Sequence, residues 1–155
     1  MTLQLKKILL PTDFSKYSAA AESYACELAT KFGAELHLLH TLEQHYSLTP
    51  EFGLGFAVPT QISESKSAAE KALSGLLDPG WAANRNVIHR VIEGSPKTEI
   101  VRYARSENID LIVISTHGRT GLSHMLIGSV AETVVRTASC PVLTVRPKGH
   151  QFVMP

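Results

Sequence analysis

Apolar residues follow two different periods along the chain. Five short apolar runs have the length of buried β-strands, and between them apolar positions recur every three or four residues, as on the buried stripe of a helix. Five strands alternating with four helices predict a single-domain, open, parallel five-stranded sheet with helices on both faces, which is a Rossmann-like α/β fold. The predicted strands are 5–10, 34–40, 86–92, 111–114 and 141–146.

Capping residues mark the ends of the predicted helices. Ser15 is placed as the N-cap of the first helix, and Gly33 follows its last apolar position as a C′ residue. Ser95 followed by Pro96 is a specific start signal, because proline at the first helical position has no N–H to leave unsatisfied. The second helix is predicted from Ile62, and the fourth begins at Ser129.

The connections between the predicted parallel strands indicate where a ligand would bind. Crossovers between parallel strands are right-handed, so the carboxyl ends of all five strands lie at one edge of the sheet. Open α/β sheets bind ligands at that edge. We therefore expect Pro11–Asp13, Thr41 and Ser115–Gly118 to converge there. A simple helix-capping carboxylate is the alternative interpretation of Asp13.

The stretch from residue 111 to residue 140 is a candidate phosphate cradle. It reads as a strand, a glycine-containing loop and a helix that starts at Gly128–Ser129. The first N–H groups of a helix lack intrahelical acceptors and attract anions, and glycine permits close approach. No G-x-x-x-x-G-K-[ST] pattern is present, so the site is not of the Walker type. Loop punctuation at Gly118 and a flexible helix start at Gly128 are the alternatives.

Composition restricts the classes of function. The chain has 155 residues, is 44% hydrophobic and 19% charged, and carries a formal net charge of +1. Without a basic excess, the sequence predicts no nucleic-acid partner. The apolar run at the start is too short for a signal peptide and no run reaches membrane-spanning length, so no membrane partner and a cytoplasmic location are expected.

The cysteines and histidines do not form a predicted metal or redox site. Cys26 and Cys140 form no CxxC pair, and reduced, buried thiols are expected. His37 and His40 are three residues apart in one strand and point to opposite faces, so they cannot hold one metal together. A solvent-facing or hydrogen-bonded side chain is predicted for each histidine.

A long loop follows the second strand. Residues 41–61 contain prolines, glycines and aromatic residues, and loops of this length inside compact domains are often functional. The segment is either a lid over a ligand or a surface loop without a role, and the sequence leaves both open.

Three stretches taken together resemble the universal stress protein family over nearly the whole chain. They are Ile8–Ser15 (ILLPTDFS), Gly94–Pro96 with Ile100 behind it, and Asp110–Arg119 (DLIVISTHGR) continuing to Gly128–Ser129 and Cys140–Arg146. The resemblance implies an adenine-nucleotide alpha-hydrolase-like fold, with residues 1–147 as the universal stress protein domain and 148–155 as a C-terminal tail.

The resemblance also implies the nucleotide-binding branch of that family. Its motif is G-x2-G-x9-G-[ST], and Gly118, the nine residues 119–127, Gly128 and Ser129 match the second half. Ser115 occupies the position of the first glycine, where its hydroxyl can act as a donor.

Site roles follow from the same resemblance. Asp13 is expected near the adenosine, Thr41 at the adenine through its backbone, and Gly118, Gly128 and Ser129 at the phosphates of ATP, with Mg²⁺ bridging them. The family usually forms homodimers through the last strand. The full predicted nucleotide site is Pro11, Thr12, Asp13, Thr41, Ser115, His117, Gly118, Arg119, Gly128 and Ser129, and the predicted dimer interface is Val142, Leu143, Thr144 and Val145.

Three functions remain open at this stage. The first is a non-catalytic, ATP-binding stress-response regulator, in which nucleotide occupancy controls loop conformation and partner interaction. The second is a slow Mg-dependent ATP hydrolase, in which Asp13 orients water or holds the metal. The third is a nucleotide-free interaction or chaperone-like protein.

Overall fold

The computed structural model describes residues 4–43, 59–117 and 127–147 of the chain. The predicted site residues Gly118 and Arg119, most of the 41–61 loop and the 148–155 tail lie outside the described residues. The elements are β1 (Lys7–Pro11), α1 (Ser18–Phe32), β2 (Glu35–Leu42), α2 (Pro59–Ser74), α3 (Pro79–Ala82), β3 (Val87–Glu93), α4 (Pro96–Ser106), β4 (Leu111–Ser115), α5 (Ser129–Thr137) and β5 (Val142–Val145).

The five strands form one parallel sheet, as the alternation of strands and helices predicts, and their order in the sheet is β3-β2-β1-β4-β5. Helices α1 and α2 cover one face, where Ile8 and Leu10 point. Helices α4 and α5 cover the other face, where Leu9 points. These three residues are at most 1% exposed, because the central strand is buried on both sides.

The strand order reverses between β1 and β4, which is the position where sheets of this type open a crevice. Pro11 is the last residue of β1 and has no N–H to donate. The Lys7 carbonyl accepts from the N–H of Asp110, which directly precedes β4. The N–H and C=O groups of odd-numbered residues in β1 therefore point toward β4. Proline therefore ends the β1–β4 ladder at the carboxyl edge of the sheet.

The N-cap of helix α1 lies two residues later than predicted. The N-cap is Tyr17, not Ser15, and it makes no side-chain capping bond. The Ser15 N–H donates to Asp13 Oδ1 at 3.0 Å, and the Ser15 carbonyl accepts from Ser18. A local turn has taken the place of the first helical turn, because the Asp13 side chain competes for the backbone donor. Gly33 ends the helix with φ 62°, as predicted.

Other boundaries differ slightly from the predictions. Helix α2 begins at Pro59 rather than Ile62, and a single helical turn, α3, follows the Asp78 N-cap. Helices α4 and α5 begin at Pro96 and Ser129, as predicted. In the part of the chain that the structure describes, no helix combines the length and apolar character needed to cross a membrane.

The two histidines of β2 point to opposite faces, as predicted, but neither faces solvent. His37 is 2% exposed, and its two ring nitrogens lie 2.7 Å from Tyr103 Oη and 2.7 Å from Glu35 Oε1. His40 is 7% exposed and its Nδ1–H donates to the Thr12 carbonyl at 2.8 Å. Both are buried, hydrogen-bonded side chains because each finds polar partners that satisfy it inside the fold.

Both cysteines are free and half-buried. Burial, followed by the nearby Glu22 carboxylate, raises the pKa of the Cys26 thiol to about 11. Burial also raises the pKa of the Cys140 thiol. The thiolate is the reactive form, so both side chains are poor nucleophiles at neutral pH.

Candidate functional site

A cavity of about 560 Å³ lies at the carboxyl edge of the sheet. The ends of β1, β2 and β4 and the starts of α4 and α5 surround it. The structure thus brings together every predicted nucleotide-site residue that it describes. The lining includes Pro11, Thr12, Asp13, Thr41, Ser115, His117, Gly128 and Ser129.

The cavity also contains residues that the sequence reasoning did not assign to the site. His40 and Glu43 extend it along β2, and Pro96, Lys97 and Ile100 close it from α4. The Ser95–Pro96 helix start could have indicated the residues of α4, because a helix that follows a parallel strand begins at the sheet edge where that strand ends.

The turn between β1 and α1 holds Asp13 at the cavity by a series of short-range hydrogen bonds. Thr12 Oγ1 accepts from the Phe14 N–H at 3.1 Å and lies 3.2 Å from Ser18 Oγ. Asp13 Oδ1 accepts from the Ser15 N–H, so the carboxylate also stabilises the turn. Asp13 lines the cavity, but it does not cap α1: its bond to Ser15 lies in the turn before the helix, and the N-cap is Tyr17.

Phe14 has a left-handed backbone conformation, with φ 61°. For a bulky residue this conformation costs about 1–3 kcal/mol and persists only when the surroundings enforce it. The ring packs on His40 with centroids 4.4 Å apart, and Phe14 also contacts the core on the α1 face. The turn beside Asp13 is therefore held by tertiary packing as well as by its local hydrogen bonds.

The role predicted for Gly128 needs correction. Its φ of −70° and ψ of 151° are open to any residue, so conformational freedom does not require glycine here. Its N–H donates to the Thr116 carbonyl at 2.6 Å, so this amide is not available to a phosphate. A Cβ at this position would lie 3.0 Å from the same carbonyl oxygen. Glycine is needed because the two backbones approach each other closely.

The amides that remain for an anion belong to the first turn of α5. The N–H groups of Ser129, Val130 and Ala131 precede the first intrahelical bond, in which Glu132 N–H donates to the Gly128 carbonyl at 2.9 Å. All three residues line the cavity. The positive end of the α5 dipole therefore lies at the cavity, and Ser129 adds a hydroxyl.

The segment that follows β4 is held by β5. The Thr116 N–H donates to the Val145 carbonyl at 2.9 Å, and Thr116 Oγ1 lies 2.9 Å from His117 Nδ1. Ser115 Oγ accepts from the His117 N–H at 3.4 Å, which is a weak bond. Thus the Ser115 hydroxyl, in the position of the motif's first glycine, turns back toward its own chain.

The backbone of Thr41 is placed to contact a ligand. In β2 the backbone groups of odd-numbered residues face β1, because the Leu39 carbonyl accepts from Thr12 N–H at 2.9 Å. Even-numbered residues face β3, as shown by the bond from Gly94 N–H to the Leu42 carbonyl. The N–H and C=O of Thr41 therefore point past the end of β1, into the cavity edge.

The residues with charged side chains that line the described part of the cavity are Asp13, Glu43 and Lys97. Among residues 4–43, 59–117 and 127–147, no group of three or more His, Cys, Asp or Glu side chains could hold a metal ion. This donor set does not suit a metal bound by protein alone, but it fits Mg²⁺ bound through a carboxylate and ligand phosphates.

A parallel doubly wound sheet with a cavity at its switch point places the chain in the class of open α/β folds. Within that class, the universal stress protein family model matches residues 4–146, and the chain belongs to this family. Universal stress protein MJ0531 of Methanocaldococcus jannaschii is 36% identical over 143 residues, covering 91% of this chain and 82% of the relative.

Solved structures share the fold. Hypothetical protein MJ0577 of the same organism has a TM-score of 0.80 and 29% identity, with 95% of this chain and 99% of that chain covered. The universal stress protein from Archaeoglobus fulgidus in complex with dAMP has a TM-score of 0.61 and 20% identity, with 92% and 98% covered. The prediction of a universal stress protein fold is confirmed.

Proposed function

We propose that the chain is an ATP-binding regulator of the stress response and that the cavity at the sheet edge is its nucleotide site. The convergence of three strand ends and the start of α5 around one cavity carries this proposal. Its volume of about 560 Å³ lies within the usual range for small-molecule sites, roughly 300–1,000 Å³. The dAMP held by the Archaeoglobus fulgidus fold relative supports an adenine nucleotide.

Each part of the nucleotide has a partner in this proposal. The backbone N–H and C=O of Thr41 pair with the edge of adenine, which has adjacent acceptor and donor groups. The Asp13 carboxylate accepts from the ribose hydroxyls. The amides of the first turn of α5 and the Ser129 hydroxyl donate to the phosphates. Predicted phosphate contacts of Gly118 and Arg119 remain part of the proposal and lie outside the described residues.

Mg²⁺ fits the same arrangement. The phosphate oxygens would hold it, and the ion would neutralise part of the phosphate charge. Asp13 and Glu43 add negative charge to the cavity, so a triphosphate needs this neutralisation.

Nucleotide occupancy would control a partner interaction through the segments that border the cavity. Binding stabilises only the conformation that makes the contacts, so a partner that recognises this conformation detects ATP.

The proposal is tested by identifying the nucleotide that the protein carries. We expect freshly purified protein, once denatured, to release an adenine nucleotide that mass spectrometry detects. Nucleotide-stripped protein should bind Mg-ATP in calorimetry with a stoichiometry of one per chain. Release of no nucleotide together with no binding heat would favour the nucleotide-free alternative.

We also propose a homodimer through β5, which is an edge strand with Val142, Leu143 and Thr144 partly exposed. The Pro141 and Val145 carbonyls accept from the N–H groups of Ile112 and Thr116, so odd-numbered residues of β5 direct their backbone groups toward β4. The backbone groups of Thr144 therefore face outward. Unpaired outward edges favour pairing with another strand.

Thr144→Pro is the direct test of this dimer, because proline removes the outward N–H without removing a β4–β5 bond. Sedimentation velocity should give wild-type protein at twice the 16.9 kDa chain mass and the variant as a monomer. Thr144→Val keeps the N–H and should remain dimeric. A monomeric wild-type protein, or a dimeric proline variant, would contradict the interface.

A further inference from the structure

Among the residues that the structure describes, Lys97 has no ion-pair partner that explains its position. It lies in the first turn of α4, is exposed, and lines the cavity. None of the salt bridges among the described residues involves it. Glu99, the acidic residue of the same turn, is buried and pairs with Arg102 at 2.8 Å. A lysine beside the positive end of a helix is unfavourable unless it meets an anion.

The start of α4 faces the same anion site as the start of α5. The two helices pack side by side on one face of the sheet, and both begin at the carboxyl edge. Lys97 and Ile100 from α4 and Ser129 and Val130 from α5 line one cavity. An anion bound at α5 is therefore within the volume that the flexible lysine side chain borders.

The first turn of α4 leaves little else for an anion to contact. Pro96 has no N–H, and the N–H groups of Thr98 and Glu99 both donate to the Ser95 carbonyl, at 3.0 and 2.9 Å. The donors of this turn that remain are the Lys97 amide and ammonium and the Thr98 hydroxyl, and Thr98 does not line the cavity. The other charged residues of the described lining are Asp13 and Glu43, whose carboxylates have the opposite charge to the Lys97 ammonium.

We propose that Lys97 is a phosphate-binding residue that lets the site distinguish nucleoside polyphosphates from nucleosides. This inference rests on the proposed nucleotide-binding function. The ammonium contacts the phosphate chain from the α4 side, opposite the amides of α5, and compensates the charge of the cavity carboxylates. Adenosine gains nothing from this contact, so Lys97 selects the charged ligand.

The test compares ATP, ADP, AMP and adenosine by calorimetry at low ionic strength with Mg²⁺ present. We expect Lys97→Gln to weaken ATP binding about 10-fold, the usual effect of one charge-assisted hydrogen bond, with a smaller loss for AMP. Adenosine affinity should stay within roughly 2-fold, and the ATP difference between wild type and variant should shrink as salt rises. Lys97→Arg should restore ATP affinity, because arginine also binds phosphate.

Two controls separate this role from a structural one. Lys66 is exposed in α2 and does not line the cavity, so Lys66→Gln should leave all four affinities unchanged. The melting temperature of ligand-free Lys97→Gln should stay close to that of the wild type, because the unfavourable position of the charge at a helix start and its attraction to the cavity carboxylates oppose each other.

Two results would overturn the assignment of Lys97 while leaving the proposed function intact. One is ATP affinity in Lys97→Gln equal to wild type. The other is an equal loss for ATP and adenosine, which would place the lysine at the base or ribose. If the wild-type protein binds none of the four compounds, both the assignment and the proposed function are wrong.

Discussion

Gly128→Val should abolish most Mg-ATP binding and also lower the stability of the protein. A Cβ at this position would meet the Thr116 carbonyl oxygen at 3.0 Å, so either the Thr116 backbone or the start of α5 must shift. Forced overpacking of this kind costs about 1–3 kcal/mol. Displacement of the α5 amides removes more than one charge-assisted bond to phosphate, so affinity should fall on the order of 100-fold.

The matched control is Gly75→Val. A Cβ at Gly75 would lie 3.7 Å from the Lys71 carbonyl oxygen, an ordinary contact, and the residue does not line the cavity. We expect its unfolding midpoint in urea and its Mg-ATP affinity to stay close to those of the wild type. Wild-type affinity in Gly128→Val would show that α5 does not bind the phosphates, even if stability falls.

Position 128 also shows what a sequence pattern can and cannot reveal. The G-S pair at the head of a helix was sufficient to predict the helix start and its place at the sheet edge. The pattern suggested that this glycine exposes its amide to a ligand, but the amide is bonded to Thr116. Which backbone passes close to a glycine depends on tertiary packing, and one sequence does not contain that information.

Fold class followed from the sequence because five short segments rich in apolar residues alternate with four segments that have an amphipathic stripe. Ser15 as the N-cap was wrong because the Asp13 side chain accepts from the Ser15 N–H in a local turn, and packing of Phe14 on His40, 26 residues farther along the chain, supports that turn. Burial of His37 depends on Tyr103, 66 residues away, and no local pattern indicates it.

The site was predictable to the extent that topology dictates it. The ends of parallel strands share one edge, so Asp13, Thr41 and Ser115 had to lie near one another. Lys97 was not assigned because its contribution depends on how closely α4 packs against α5. A start signal at Ser95 indicates where the helix begins but not which of its side chains reach the cavity.

The close packing of Gly94 against Glu99 has a measurable effect on stability. Gly94 precedes α4, has φ 140°, and donates its N–H to the Leu42 carbonyl at 2.9 Å. A Cβ there would lie 2.7 Å from Cγ of Glu99, which is 8% exposed and held by Arg102. Backbone strain and overpacking both oppose alanine, so Gly94→Ala should lower the free energy of unfolding by about 2–5 kcal/mol.

Gly33 supplies the matched comparison, because it is also left-handed, with φ 62°, but a Cβ there meets nothing within 4 Å. Gly33→Ala therefore carries backbone strain alone and should cost about 1–2 kcal/mol in urea-induced unfolding. Equal losses for Gly33→Ala and Gly94→Ala would contradict the proposed clash with Glu99.

A double-mutant cycle separates the two costs at Gly94. Glu99→Ala removes the atoms that a Cβ at position 94 would meet, so alanine at both positions should recover the overpacking cost but not the backbone strain.

The Gly94→Ala variant also connects the turn before α4 to function. If Gly94 sets how α4 enters the cavity edge, Gly94→Ala should also weaken Mg-ATP binding, because Pro96 and Lys97 move with the helix start. Unchanged ATP affinity in a destabilised Gly94→Ala protein would show that α4 contributes to the fold without contacting the nucleotide.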